Sequence, residues 1–163
     1  TLFDKASFKL AAKMGRCILP MDGFFEHQYK NGKVYPYYIS HSNEKRLFIG
    51  GITDQWINKN TGEIIESFSI VTTPGNKLLS EIHNNPKLEG PRMPLILNQE
   101  DSEQWFNGNQ DEIKELIKPN SKIDLKSHTV QKLKGSKYCG NHQAVQEHFH
   151  YQELNSSPDL FDN

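Results

Sequence analysis

The stretch Arg16-Cys17-Ile18-Leu19-Pro20-Met21-Asp22-Gly23-Phe24-Phe25-Glu26-His27 constrains the fold more than any other part of the chain. A short apolar run reaches a proline, an Asp-Gly turn follows, and an aromatic run then carries one carboxylate; this reads as strand, tight turn, strand. Period-two alternation puts Glu26 on the face opposite Phe25 and His27, either as a solvated strand residue or as a polar group aimed into a cleft. A few residues on, Asn31-Gly32 is a strong hairpin signal. The opening therefore commits the chain to antiparallel pairing.

Around that nucleus the pattern predicts a helix over 3–13, capped by Asp4 or Ser7 and closing near Gly15, then strands at 17–20, 23–29 and 34–39. Tyr35, Tyr37 and Ile39 share a face of the third strand, with Pro36 at its beginning or on an edge. A strand over 46–56 carries Gly50-Gly51 as a bulge or close backbone approach, Asn58 to Gly62 turns, and 67–73 alternates as one strand. At Asn76 the period changes. Leu78, Leu79 and Ile82 form a helical stripe capped by Asn76, which ends near Asn84-Asn85-Pro86 with His83 in its last turn. An extended run at 93–97, a helix capped by Asn98, a short helix over 110–117 and weak strands at 123–125 and 129–133 complete the chain, with a fraying tail at 156–163. This order defines an α+β domain, 1–155, built on an irregular, partly closed antiparallel sheet with flanking short helices.

Composition narrows the function classes. With 163 residues, 35% of them apolar, one ordinary core is expected. Nineteen Lys and Arg against 20 Asp and Glu give a formal net charge of -1, which does not by itself point to nucleic acid, although a local basic patch fits inside such a balance. No run is long and apolar enough to span a membrane as a helix. The chain opens Thr1-Leu2-Phe3-Asp4 and reads as the continuation of a longer polypeptide. Two cysteines are too few for a disulfide scaffold. Cys139, His142, His148 and His150 lack the spacing of a zinc knuckle and read as a polar surface segment, so no metal ligand is assigned. Serine-hydrolase and phosphate-loop signatures are absent.

Among the remaining polar residues, His83 sits where a helix terminus attracts a proton-carrying side chain, which suits it to donating to a developing oxygen anion; its plainer reading is a solvated cap residue. Arg92 is suited to a phosphate or to pairing with an acid such as Glu89.

Three blocks carry a resemblance. Arg16 to Glu26 resembles the R-C-[LI]-[IV]-P-A-D-G-[FWY]-[FY]-E motif of the SOS response-associated peptidase (SRAP) family, the abasic-site processing proteins. Phe68 to Asn76 resembles its F-x-I-[IL]-T-T-x-A-N stretch, and Ile82-His83 followed by Arg92 to Leu97 resembles its I-H-x-R-M-P-V-I-L segment. The resemblance implies an enzyme that recognises abasic sites in single-stranded DNA. An N-terminal cysteine, freed by removal of what precedes it, attacks the ring-opened sugar aldehyde and closes a thiazolidine. It implies catalytic roles for Glu26, which shuttles protons, and His83, which protonates the sugar oxygen. DNA contacts fall to Arg92, Thr72, Thr73, Phe24 and His27. No cofactor and no membrane partner are implied; a cytoplasmic monomer, nucleoid-associated on DNA, is expected.

Departures from the pattern sharpen the reading. Cys17 matches an internal strand cysteine without a free α-amine, so this stretch of chain by itself is expected not to crosslink DNA. His27 replaces the family tryptophan. The Pro-Lys-Leu-Glu-Gly insert before Pro91 separates His83 from Arg92, so the two share a site only if that loop folds back. An autoprocessing peptidase-like hydrolase and a noncovalent single-stranded DNA-binding module are the rival functions.

Overall fold

The computed structural model describes residues 2–118, 123–138 and 140–155. Helix α1 spans Ala6–Met14, and strands β1 (Arg16–Met21), β2 (Gly23–Lys30), β3 (Lys33–His41), β4 (Leu47–Ile57), β5 (Ile64–Ile70) and β6 (Thr72–Pro74) follow. Helix α2 (Lys77–Ile82), strands β7 (Arg92–Pro94) and β8 (Ile96–Leu97), helices α3 (Gln99–Asn107) and α4 (Gln110–Leu116), strand β9 (Leu125–Thr129), a 3-10 turn (Gln143–Gln146) and α5 (Gln152–Asn155) complete the described part. The expected α+β architecture with irregular antiparallel sheets and short flanking helices is what forms. No described helix is long and apolar enough to cross a membrane.

One sheet runs β1-β4-β5 with β8 also on β4, a second runs β2-β3-β9, and β6-β7 form a ribbon. The sheet built on β4 divides the apolar interior. On one side Trp105, Leu95, Leu97, Ile52 and the α1 alanines Ala11 and Ala12 pack together. On the other, Ile49, Leu47 and Ile96 meet Leu79 and Ile82 of α2 and Ile39 of β3. At Gly50 the backbone of β4 closely approaches the Trp105 layer: a Cβ there would lie 2.9 Å from a Leu95 methyl. Register through Gly50 and Gly51 is uninterrupted against Ile18 and Cys17, so the pair marks close approach and no bulge.

Several local expectations are corrected. The Asp22-Gly23 turn joins no hairpin, because β1 pairs with β4 and β2 with β3. The chain instead changes sheets there, since both strands find longer apolar partners elsewhere. The hairpin falls at Asn31 and Gly32, both at positive φ (50° and 75°), the geometry that Asn-Gly supplies with little strain.

The expected strand over 67–73 breaks at Val71. Its N–H still bonds the Gly50 carbonyl in register with β5, but its own carbonyl accepts from Leu95 while the Gly50 N–H turns to the Leu95 carbonyl, so the edge of β4 passes from β5 to β8. Helix α1 starts after Lys5, which contributes no side-chain cap, instead of being capped by Asp4 or Ser7. Phe3, only 6% exposed, is drawn into the core and delays the helix. Pro36 lies in a central strand, where it is tolerated because its carbonyl and missing N–H face β9 just past that strand's last pair. The two weak C-terminal strands are replaced by β9, which lies between them and is aligned by β3. Cys139 and the tail at 156–163 lie outside the described residues.

Candidate functional site

Glu26 is paired with Tyr37 across β2 and β3. The exposure pattern of β2 alternates, covering Phe24, Glu26 and Gln28 and exposing Phe25, His27 and Tyr29. Glu26 thus takes the cleft-facing alternative, with a side chain 24% exposed against 16% for His83 beside it. Its Oε2 lies 3.4 Å from His83 Nδ1. Its Oε1 accepts from the His27 backbone N–H at 2.7 Å, so both oxygens are oriented.

His83 is the C-cap of α2, and its N–H closes the helix on the Leu79 carbonyl. The helix is fixed at both ends. Asn76 accepts from the Leu79 N–H at 3.0 Å at its start, and just past its end the Asn84 amide accepts from Tyr29 N at 2.7 Å and donates to Tyr29 O at 3.1 Å. That two-point contact extends the edge of β2 as a further strand residue would. Gln28 donates to the Glu81 carbonyl at 3.1 Å, a third tie between α2 and the strand that carries Glu26. Asn84 and Gln28 fix the end of α2 against β2, and neither stood out in the sequence. Asn84 read only as a helix stop, because the backbone it satisfies belongs to a remote strand.

The loop before Arg92 does fold back. His83 Nδ1 is 3.1 Å from the Arg92 N–H and 3.0 Å from the Arg92 carbonyl. One ring nitrogen thus faces a donor and two acceptors. Unprotonated, it accepts from the Arg92 N–H; protonated, it donates to the carbonyl or toward Glu26. The Arg92 side chain turns to Thr72, with Nη2 donating to its carbonyl at 2.8 Å and its hydroxyl at 2.6 Å. This fork is exposed and borders a cleft of about 770 Å³, floored by Phe3, Phe8 and Ile70 and rimmed by Lys5 and Lys114.

The other candidates separate. Thr73 is 3% exposed and its hydroxyl donates to the Ile117 carbonyl, tying β6 to the end of α4. Phe24 shares the Glu26 face and packs partly against the α2 core. His27 points to the opposite face; partial loss of hydration holds it below the usual histidine range, against the raising effect of Glu26 and with help from Lys134 and Lys132. Burial pushes the Cys17 thiol up, which disfavours the thiolate a nucleophile needs. Among the described residues no group of three or more His, Cys, Asp or Glu is placed to hold a metal.

A carboxylate and an imidazole held together at the edge of a mixed fold, next to an exposed arginine fork, define a protein equipped for proton transfer beside an anion. The chain belongs to the SOS response associated peptidase (SRAP) family, whose profile matches residues 1–136. It is 28% identical over 152 residues to the abasic site processing protein YoqW of Bacillus subtilis, covering 91% of this chain and 64% of that one. It is 27% identical over 137 residues to the abasic site processing protein HMCES of Xenopus tropicalis, covering 72% of this chain and 39% of that one. A crystal structure of a Bacteroides thetaiotaomicron protein superposes with a TM-score of 0.80 at 35% identity, over 92% of this chain and 63% of that one. The chain therefore spans just under two thirds of the YoqW and Bacteroides proteins.

Proposed function

We propose that this chain carries the proton-transfer and DNA-binding part of an abasic-site processing protein acting on single-stranded DNA. The observation that carries the reading is the 3.4 Å approach of Glu26 Oε2 to His83 Nδ1, made between a strand and a helix end far apart in the sequence. The names of its relatives support the substrate class.

In this reading His83 gives a proton to the sugar ring oxygen as the abasic residue opens to its aldehyde. Its contacts above all fall on Nδ1, so Nε2 is the nitrogen left to meet the sugar. Glu26 takes and returns protons at the amine that attacks the aldehyde. Condensation of that amine with the aldehyde expels water and forms an imine; a thiol then adds across the C=N bond, sulfur to carbon and proton to nitrogen, closing a thiazolidine. The nucleophile in this reading is an N-terminal cysteine with a free α-amine, a role Cys17 does not fill because its amine is an amide within β1. Arg92 and Thr72 meet the backbone phosphate, Phe24 lines the approach on the Glu26 face, and Thr73 positions Thr72 by anchoring β6; His27, on the opposite face, takes no part.

The test is a form extended upstream to an N-terminal Met-Cys, mixed with an oligonucleotide bearing one abasic site. A denaturation-resistant shift that is lost in Glu26→Gln and slowed in His83→Ala is the expected result. Folded protein that gives no shift overturns the crosslinking mechanism. Peptide cleavage in trans without DNA would replace it with the hydrolase.

A further inference from the structure

A second cleft, of about 860 Å³, opens beside the tip of the β2–β3 hairpin. It is distinct in its lining from the one that Arg92 and Thr72 border. Its wall is a run of aromatic rings: Tyr35 meets Tyr151 edge-on at 5.1 Å, and Phe149 meets Tyr151 at 4.8 Å. Lys132 lies over both tyrosine rings, 5.1 and 5.4 Å from their centroids, with its ammonium donating to the Val34 carbonyl. Lys33 and Lys137 complete a cationic rim.

The charge is unbalanced. Among the described residues Glu153 is the one carboxylate in the lining, and it is paired with Lys33 at 3.4 Å, so three ammonium groups of that lining face a single acid. Loss of hydration holds Lys132 below the usual lysine range, and Lys137 and Lys33 lower it further against the pull of Glu153. An arriving anion relieves that repulsion. Phe149 keeps 38% of its surface exposed at the mouth, leaving an apolar ring face that a purely anionic ligand would not use. A cationic rim over exposed aromatic rings is the combination that holds single-stranded nucleic acid, phosphates on lysines and bases on rings. The position fits as well. Tyr35 is paired with Gln28, two residues along the strand from the Glu26–Tyr37 pair, a separation of about 7 Å.

We propose that Lys33, Lys132, Lys137, Phe149 and Tyr151 form a subsite for undamaged nucleotides of single-stranded DNA flanking the residue held at Glu26 and His83. This rests on the function proposed above for its substrate class, although the cleft's affinity for a strand does not require catalysis.

The experiment is fluorescence anisotropy of the 163-residue chain with labelled oligothymidylate, undamaged or carrying one stable abasic analogue, across a salt series. Lys33→Glu combined with Lys137→Glu is expected to weaken both oligonucleotides at least about tenfold and to flatten the slope of log affinity against log salt by about 1.4, the loss of two phosphate contacts. Phe149→Ala is expected to weaken binding about tenfold with the salt slope kept. Variants with wild-type circular dichroism and unchanged affinity and slope overturn the subsite. If those variants leave binding intact while the wild type prefers the abasic strand and Arg92→Ala weakens it, the subsite falls and the proposed function stands. If the lysine variants lose binding and no preference for the abasic strand exists, the subsite stands and the proposed function falls. Displacement by thymidine monophosphate at concentrations near those of the oligonucleotide would make this a free-nucleotide site, and equal displacement by polyglutamate a site for acidic peptides; either overturns the assignment.

Discussion

Asn84 and Tyr29 are joined through a side-chain amide and a backbone, the amide accepting at 2.7 Å and donating at 3.1 Å. Through this contact the end of α2 is fastened to the free edge of β2. The adjoining residue, His83, is thereby held against Glu26 on the same strand. The Glu26–His83 geometry thus depends on a residue with no acid–base chemistry of its own.

Asn84→Ala removes both bonds from an exposed strand edge that water can partly resatisfy. A loss of about 1–2 kcal/mol is expected, seen as a lower urea midpoint with unchanged slope. A positioning role further requires that crosslinking by the extended form slow more than the stability loss explains. Unchanged crosslinking in the folded variant would leave Asn84 merely structural.

Glu26→Gln keeps the shape of the side chain and its ability to accept from the His27 N–H. Thermal stability is expected to stay within a few degrees of wild type, while the crosslinking rate falls by about 10²–10⁴, the usual worth of a positioned acid–base group. Single-turnover gel assays measure this directly. A rate within threefold of wild type would remove Glu26 from the chemistry.

Trp105 is fully buried between the helices and β4, and its indole N–H donates to the Cys17 carbonyl at 3.0 Å. Trp105→Ala is expected to cost about 3–5 kcal/mol, by cavity formation and an orphaned carbonyl. Gly50→Ala should destabilise from the opposite cause, by about 1–3 kcal/mol, because the new methyl meets Leu95 at 2.9 Å. Calorimetry of both variants tests whether the β4 layer is the tightest part of the core.

Stability should decline at both ends of the pH range. Burial raises Cys17 and also Tyr37 and Tyr38, so their contribution is complete below the ordinary values of 9.0 and 10.0 and is lost as pH rises through the folded-state values. His27 is lowered, so its contribution is present above 6.5 and is lost as pH falls through its folded-state value. Melting temperatures measured across pH should show Cys17→Ala flattening the alkaline limb and His27→Gln the acid one. Iodoacetamide should also label Cys17 more slowly than it labels a free thiol at pH 8.

Local chemistry was legible where a residue acts on its own neighbours. Asn31-Gly32 makes its hairpin, Asn76 and Asn98 cap their helices, and the alternation of β2 places Glu26 away from Phe25 and His27. These outcomes depend on φ preferences, short hydrogen bonds and the strand period, all fixed within a few residues. The pairing of Glu26 with His83 was named only through the order of three motifs resembling a family.

Tertiary structure decided everything that depends on a remote partner. Asp22-Gly23 carries the chain from one sheet to another because β4 and β3, which belong to different sheets, claim the strands on either side. The Val71 carbonyl and the Gly50 N–H both turn to Leu95, which ends the β4–β5 ladder there. The insert before Arg92 closes on His83, and Asn84 becomes an edge residue of β2. By itself the sequence determined most of the strands and helices up to α4 and which side chains suit proton transfer. Only the packed chain decided which of them meet, because the free energy of burying two apolar layers on either side of β4 outweighs the preference of any single turn.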